Sequence, residues 1–202
     1  PPPYSSAASD VYKRQDMAGR YRATVKTIEK PWGEWFSLDE LEAALIEHKP
    51  AILALVHAET STGVCQPMDG VGDLCRKHDC LLLLDTVTSL GGVPLYIDEW
   101  KVDLAYSCSQ KGLSCPPGLG PFTMGPRAEE KMASRGGKVP NWYLDVSLLN
   151  QYWGSDRVYH HTAPVNMNFG MREALRLLAE DGLDQAWARH RRNAERLWSG
   201  LE

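Results

Sequence analysis

Leu81-Leu82-Leu83-Leu84-Asp85 decides the fold. Four leucines in succession leave no polar face. A run this short reads as a strand buried on both sides, with a carboxylate at its carboxyl end. Thirty residues earlier, Ala51-Ile52-Leu53-Ala54-Leu55-Val56-His57 has the same character and reads as another buried strand. Between them, residues 71–78 have helical spacing, with Leu74 and Cys75 on the apolar side. Val102-Asp103-Leu104-Ala105-Tyr106-Ser107 reads as a third strand. Ahead of the first strand, Ser37-Leu38-Asp39-Glu40 has the form of a capping box. Leu38, Leu41, Ala44, Leu45 and Ile46 follow at helical spacing until Pro50 ends the helix. Gly91-Gly92 with Pro94, and Pro116-Pro117-Gly118, mark loops. A short helix is predicted over 128–133, and longer ones over 165–179 and 183–201. Strands alternating with helices in units of about thirty residues define an α/β fold with a mainly parallel sheet flanked by helices.

Composition bounds the function. The chain has 202 residues, enough for one sizeable core. It carries 22 basic and 26 acidic residues, net −4, without the basic excess of a nucleic-acid-binding protein. With 43% hydrophobic residues and no uninterrupted apolar run of membrane-spanning length, it offers no membrane segment. Five cysteines, at 65, 75, 80, 108 and 115, do not form a disulfide framework, which favours a reducing, intracellular compartment. Residues 1–16 lack apolar periodicity and the apolar core of a signal peptide, and read as a disordered or non-native leader. The last helical pattern runs to Leu201-Glu202, so residues 17–202 read as one partial domain truncated at both ends.

In open α/β sheets, ligands bind beyond the carboxyl ends of the strands. Three polar clusters fall there: residues 57–63 after the first strand, 85–89 after the second and 107–111 after the third. Each is weak alone. Together they assemble a carboxylate, an amine and several hydroxyls. Pyridoxal phosphate needs such a set: a lysine to form a Schiff base with its aldehyde, a carboxylate beside its ring nitrogen, and donors for its phosphate. Neither Cys75, His78 and Cys80 nor His160-His161 has the spacing of a metal site, and no metal is expected. The histidine pair reads instead as a loop contacting a partner subunit. Gly70-Val71-Gly72 lacks the preceding strand and third glycine of a dinucleotide fingerprint.

Four segments go further. They are His57-Ala58-Glu59-Thr60-Ser61-Thr62-Gly63, Leu84-Asp85-Thr86-Val87-Thr88-Ser89-Leu90-Gly91-Gly92, Tyr106-Ser107-Cys108-Ser109-Gln110-Lys111 and Tyr159-His160-His161-Thr162-Ala163-Pro164. In this order, and with Asp85 and Lys111 26 residues apart, they resemble the class V aminotransferases of the fold-type I pyridoxal-phosphate superfamily, and within them the alanine–glyoxylate branch.

The resemblance implies that residues 17–202 are the central part of the large, cofactor-binding domain. Lys111 would be the Schiff-base lysine and would move the proton between the substrate's Cα and the cofactor. Asp85 would face the pyridine nitrogen and Val87 one face of the ring. Thr60 would hydrogen-bond the cofactor and Gln110 would reach its phosphate. Tyr159 and Thr162 would reach the phosphate of a neighbouring subunit's cofactor, in a homodimer with shared sites. The family's glycine-rich phosphate loop, stacking aromatic and substrate-carboxylate arginine lie outside the region matched. The implied reaction passes an amino group from alanine or serine to a 2-oxo acid, glyoxylate favoured. Serine–glyoxylate transamination, a desulfurase or lyase using Cys115, and an inactive fragment stand as alternatives.

Overall fold

The computed structural model describes residues 15–201. Most of the stretch read as a leader lies outside the described residues; residues 15–20 are helical.

Strands β1 (Ile52–Val56), β2 (Leu81–Asp85) and β3 (Leu104–Tyr106) are parallel and adjacent, and β4 (Phe122–Met124) adds antiparallel to β3. The register aligns Val56 with Asp85, and Asp85 with Tyr106. Side chains alternate across a sheet, so two faces can be told apart. On one, Leu55, Leu82, Leu84 and Ala105 join the core. On the other stand Leu83, Asp85, Leu104 and Tyr106. All three expected strands form, two of them shorter than their apolar runs. β4 was not expected: it is three residues long and half-exposed at Phe122.

Helix α1 (Leu38–His48) begins as its capping box requires. The Ser37 Oγ accepts from the Glu40 N–H at 3.3 Å, and the Glu40 carboxylate accepts from the Ser37 N–H at 2.8 Å. The helix stops one residue before Pro50, where Lys49 takes a left-handed conformation and donates its N–H to the Leu45 carbonyl. Its buried residues, Leu41 and Leu45, pack with Met68, with Val71 and Cys75 of α2 (Val71–Lys77), and with Leu82 and Leu84 of the sheet. Fully burying each such leucine contributes roughly 2 kcal/mol. Helix α2 forms part of the β1–β2 crossover and lies hard against the next loop: a Cβ on Gly72 would stand 2.0 Å from the Trp100 carbonyl oxygen.

Behind β4, α3 (Pro126–Ala133) starts with proline in its first turn and returns Arg127 to the sheet. The Arg127 guanidinium meets both oxygens of the buried Asp103, at 2.9 and 3.1 Å, and the Cys80 carbonyl at 3.3 Å. Asp103 also accepts the Leu82 N–H at 2.8 Å, so one ion pair ties helix, crossover and central strand. Helix α4 (Val146–Trp153) is capped by Asp145. Helices α5 (Val165–Asp181) and α6 (Leu183–Ser199) are joined at Gly182, whose φ of +84° suits glycine.

Candidate functional site

The site lies beyond the carboxyl ends of β1, β2 and β3, where three loops are stitched together. The Thr88 hydroxyl, after β2, donates to the Ala58 carbonyl, after β1. The β2 and β3 loops meet backbone to backbone: a Cβ on Gly112 would stand 2.4 Å from the Leu90 carbonyl oxygen, and one on Gly91 3.0 Å from the Gly112 oxygen. Gly91 has φ +82°, so it is needed for conformation as well as space. This contact brings the segment carrying Lys111 against the loop that begins at Asp85.

Asp85 is 5% exposed. The Val87 N–H donates to its Oδ1 at 2.9 Å, and the Tyr106 hydroxyl donates to its Oδ2 at 2.7 Å. Thr86 fixes the two strand ends: its N–H and its hydroxyl both donate to the Tyr106 carbonyl at 2.9 Å, and the Ser107 hydroxyl donates to the Thr86 carbonyl at 3.0 Å.

Lys111 and Gln110 are exposed on a tight turn whose base is buried. Ser109, fully buried, donates its hydroxyl to the Pro116 carbonyl at 2.7 Å and accepts the Leu119 N–H at 3.3 Å. The Ser114 N–H closes the turn onto the Lys111 carbonyl at 2.9 Å. Cys115 is 5% exposed and its N–H donates to the Ser109 carbonyl at 3.0 Å. That anchoring gives it none of the mobility a sulfur-transferring cysteine needs.

Of the remaining residues picked from sequence, Val87 is half-buried beside Asp85, with its carbonyl 3.9 Å from the Cys108 thiol. Thr60 is exposed in the β1 loop. Tyr159, 71% exposed, and Thr162 share a hydrogen bond of 2.9 Å between their hydroxyls. The two histidines of the pair sit differently. His160 turns inward, stacks on Trp142 at 4.1 Å and places Nε2 3.1 Å from the Trp142 carbonyl, all within its own chain. His161, Ala163 and Pro164 line a cavity of about 1040 Å³ that also touches Leu90, Gly91 and Leu113. The Tyr159–Pro164 segment therefore ends beside the stitched loops.

His57 closes β1 on the core face, under the site. It is buried, its Nε2 lies 3.6 Å from the Cys65 sulfur, and the Trp100 ring meets it edge-on at 5.1 Å. Its Nδ1 has no hydrogen-bond partner among the described residues. Burial pushes its pKa down to about 4, so it is neutral near pH 7.

Sequence reading missed Tyr106, Ser109 and Gly112 as site residues. Tyr106 had a readable signal: it ends the third strand as Asp85 ends the second, and parallel register puts the two side by side. Ser109 and Gly112 act through loop carbonyls that no spacing rule reveals.

The site thus places a carboxylate at one strand end and an amine on the next loop, with a close backbone approach between the two loops, on an α/β sheet. The chain belongs to the aminotransferase class-V family. The profile of that family matches residues 6–202, reaching into the stretch read as a leader. Alanine–glyoxylate aminotransferase of Oryctolagus cuniculus is 45% identical over 190 residues, covering 93% of this chain and 48% of the relative. The crystal structure of alanine–glyoxylate aminotransferase from Nostoc sp. matches with a TM-score of 0.92 and 65% identity, over 94% of this chain and 50% of that one. Ureidoglycine–glyoxylate aminotransferase from Bacillus subtilis matches with a TM-score of 0.86 and 38% identity, over 89% and 46%. The chain spans about half the length of the curated relatives it matches. Its mostly parallel sheet and flanking helices share the fold of these fold-type I aminotransferases.

Proposed function

We propose that the protein is a pyridoxal-phosphate-dependent aminotransferase that passes an amino group from alanine or serine to a 2-oxo acid, with glyoxylate the favoured acceptor. The observation that carries this is the Asp85 carboxylate, fixed by hydrogen bonds at both oxygens, beside the loop that holds Lys111. The donor set fits the cofactor. Asp85 is an acceptor suited to a protonated ring nitrogen, and Lys111 is an exposed primary amine. The glycine contact lets two backbones approach where side chains would hold them apart.

Pyridoxal phosphate, when bound, supplies an aldehyde that condenses with amines and a ring that accepts the electron pair left at a substrate's Cα. This chain's residues do the rest. Asp85 would hold the ring nitrogen protonated. Val87 would pack beside the ring, while Thr60 and Gln110 would donate to the cofactor. The Lys111 amine would hold the cofactor and move the proton from the substrate's Cα. Tyr159 and Thr162, already bonded to each other, present hydroxyls that we assign to the phosphate held by a second copy of the chain in a homodimer. Glyoxylate as acceptor is supported by the relatives above, all of them glyoxylate aminotransferases. The anchoring of Cys115 speaks against a desulfurase. The five unpaired cysteines support a reducing, intracellular location.

The test is a donor–acceptor matrix on the complete protein: alanine and serine against glyoxylate, pyruvate and 2-oxoglutarate. Highest turnover with glyoxylate supports the proposal, with the better donor deciding between the alanine and serine types. Sulfide release from cysteine without amino transfer would refute it.

A further inference from the structure

We propose that Tyr106 is a positioning residue for this reaction, acting through Asp85: its phenol holds the carboxylate in the plane from which it meets the cofactor's ring nitrogen. The proposal rests on the pyridoxal-phosphate reading given above.

A carboxylate on a single Cβ–Cγ bond turns easily, because that torsion is broad. In Asp85 each oxygen has its own donor, the Val87 N–H on Oδ1 and the Tyr106 hydroxyl on Oδ2. The first comes from the aspartate's own loop, two residues on, and moves with it. The second comes from the neighbouring strand and refers the carboxylate to the sheet. Tyr106 is well placed for this. It is the register partner of Asp85, on the same sheet face, and half-buried. Its carbonyl takes two hydrogen bonds from Thr86. An O–H to carboxylate hydrogen bond of 2.7 Å is charge-assisted and among the stronger kinds. Small displacements of reacting groups cost rate steeply, so fixing the plane of Asp85 bears on cofactor grip and on turnover together.

A tyrosine serving only the fold would lend the same stability whatever stood at position 85. A positioning tyrosine loses its effect once the carboxylate is gone. The experiment is therefore a double-mutant cycle in the complete protein. Tyr106→Phe is made in the wild type and in Asp85→Asn. The readouts are the dissociation constant for pyridoxal phosphate, the 15N shift of ring-labelled bound cofactor, and the melting of the cofactor-free protein. Tyr106→Phe should weaken cofactor binding about tenfold in the wild type and less than about twofold in Asp85→Asn. It should move the ring 15N signal towards the unprotonated position in the wild type alone. In turnover, kcat should fall about tenfold with the donor's KM unchanged. Tyr106→Leu, a second variant lacking the hydroxyl, should give the same coupling should the Phe protein fold poorly.

Equal weakening in both backgrounds, or a ring signal unmoved by Tyr106→Phe, overturns the proposal. Lys111→Ala separates the two layers. If it leaves the protein-bound, borohydride-reducible imine of the cofactor intact after free cofactor is removed, the pyridoxal-phosphate reading fails and the role of Tyr106 with it. If that imine is lost while the cycle shows no coupling, only the role of Tyr106 falls.

Discussion

Replacing Gly112 with alanine adds one methyl group beside the lysine, and its effect can be worked from the backbone alone. The new Cβ would stand 2.4 Å from the Leu90 carbonyl oxygen and 3.0 Å from the Gly92 nitrogen. Ordinary carbon–oxygen contact begins about 1 Å further out, so the two loops must part by roughly that distance. Neither obstacle is the end of a flexible side chain. Overpacking of this kind costs about 1–3 kcal/mol, which lowers the melting temperature by roughly 3–10 °C for a chain of this size. The chemical cost should exceed the thermal one. A displacement near 1 Å at a positioned group can cost about 10²-fold in rate, and the group displaced here is Lys111, the preceding residue. Gly92→Ala is the control: its Cβ meets only the Thr88 and Ser89 oxygens, at 3.6 and 3.7 Å, which is normal contact. The assay pairs calorimetry with cofactor titration and turnover, both variants side by side. If Gly112→Ala melts, binds cofactor and turns over like Gly92→Ala, the backbone contact does not position the lysine.

Burial holds the His57 pKa near 4, against about 6.5 when unfolded. The unfolded chain therefore takes up this proton first as pH falls. Stability is intact above about 6.5 and is lost progressively down to about 4, amounting to about 3 kcal/mol at most. Urea unfolding should show His57→Leu losing less stability than wild type between pH 7 and pH 5; equal losses would put the acid sensitivity elsewhere. Arg127→Ala strips a guanidinium from the buried Asp103 carboxylate and should cost about 3 kcal/mol in thermal unfolding, whereas a change below about 1 kcal/mol would mean the pair is balanced by its desolvation. Asp85→Asn should keep the fold and lower kcat roughly tenfold or more, each unit of lost ring-nitrogen pKa being worth about 1.4 kcal/mol; unchanged kcat would make Asp85 a structural cap.

Parts of this fold stood open in the sequence where burial leaves no choice. Leu81–Asp85 is central, buried along most of its length, and its apolar run matches the strand residue for residue. The Ser37–Glu40 box marked the start of α1 because both of its hydrogen bonds are local. β4 was hidden: three residues after Pro121, exposed at Phe122 and Thr123, carry no alternation. Helix α4 was legible but missed: Val146, Leu148, Leu149, Tyr152 and Trp153 recur at helical spacing behind the Asp145 cap, although none of them is buried. At the site, Asp85 and Lys111 were legible through family likeness joined to their places at strand ends. Tyr106 needed the register, and Gly112 needed the position of a carbonyl 22 residues away in sequence. The inward turn of His160 depends on Trp142, which reaches it across α4 and the following loop.

The proposed link between cofactor and chain is a covalent bond to the Lys111 amine. Its most direct test is to incubate the complete protein with pyridoxal phosphate, reduce with borohydride, digest, and locate the added mass by tandem mass spectrometry. One modified peptide is expected, with the reduced cofactor on Lys111, and that adduct is lost when alanine is added before reduction. An adduct spread over exposed lysines such as Lys77 and Lys138, or one that survives the amino acid, would contradict it.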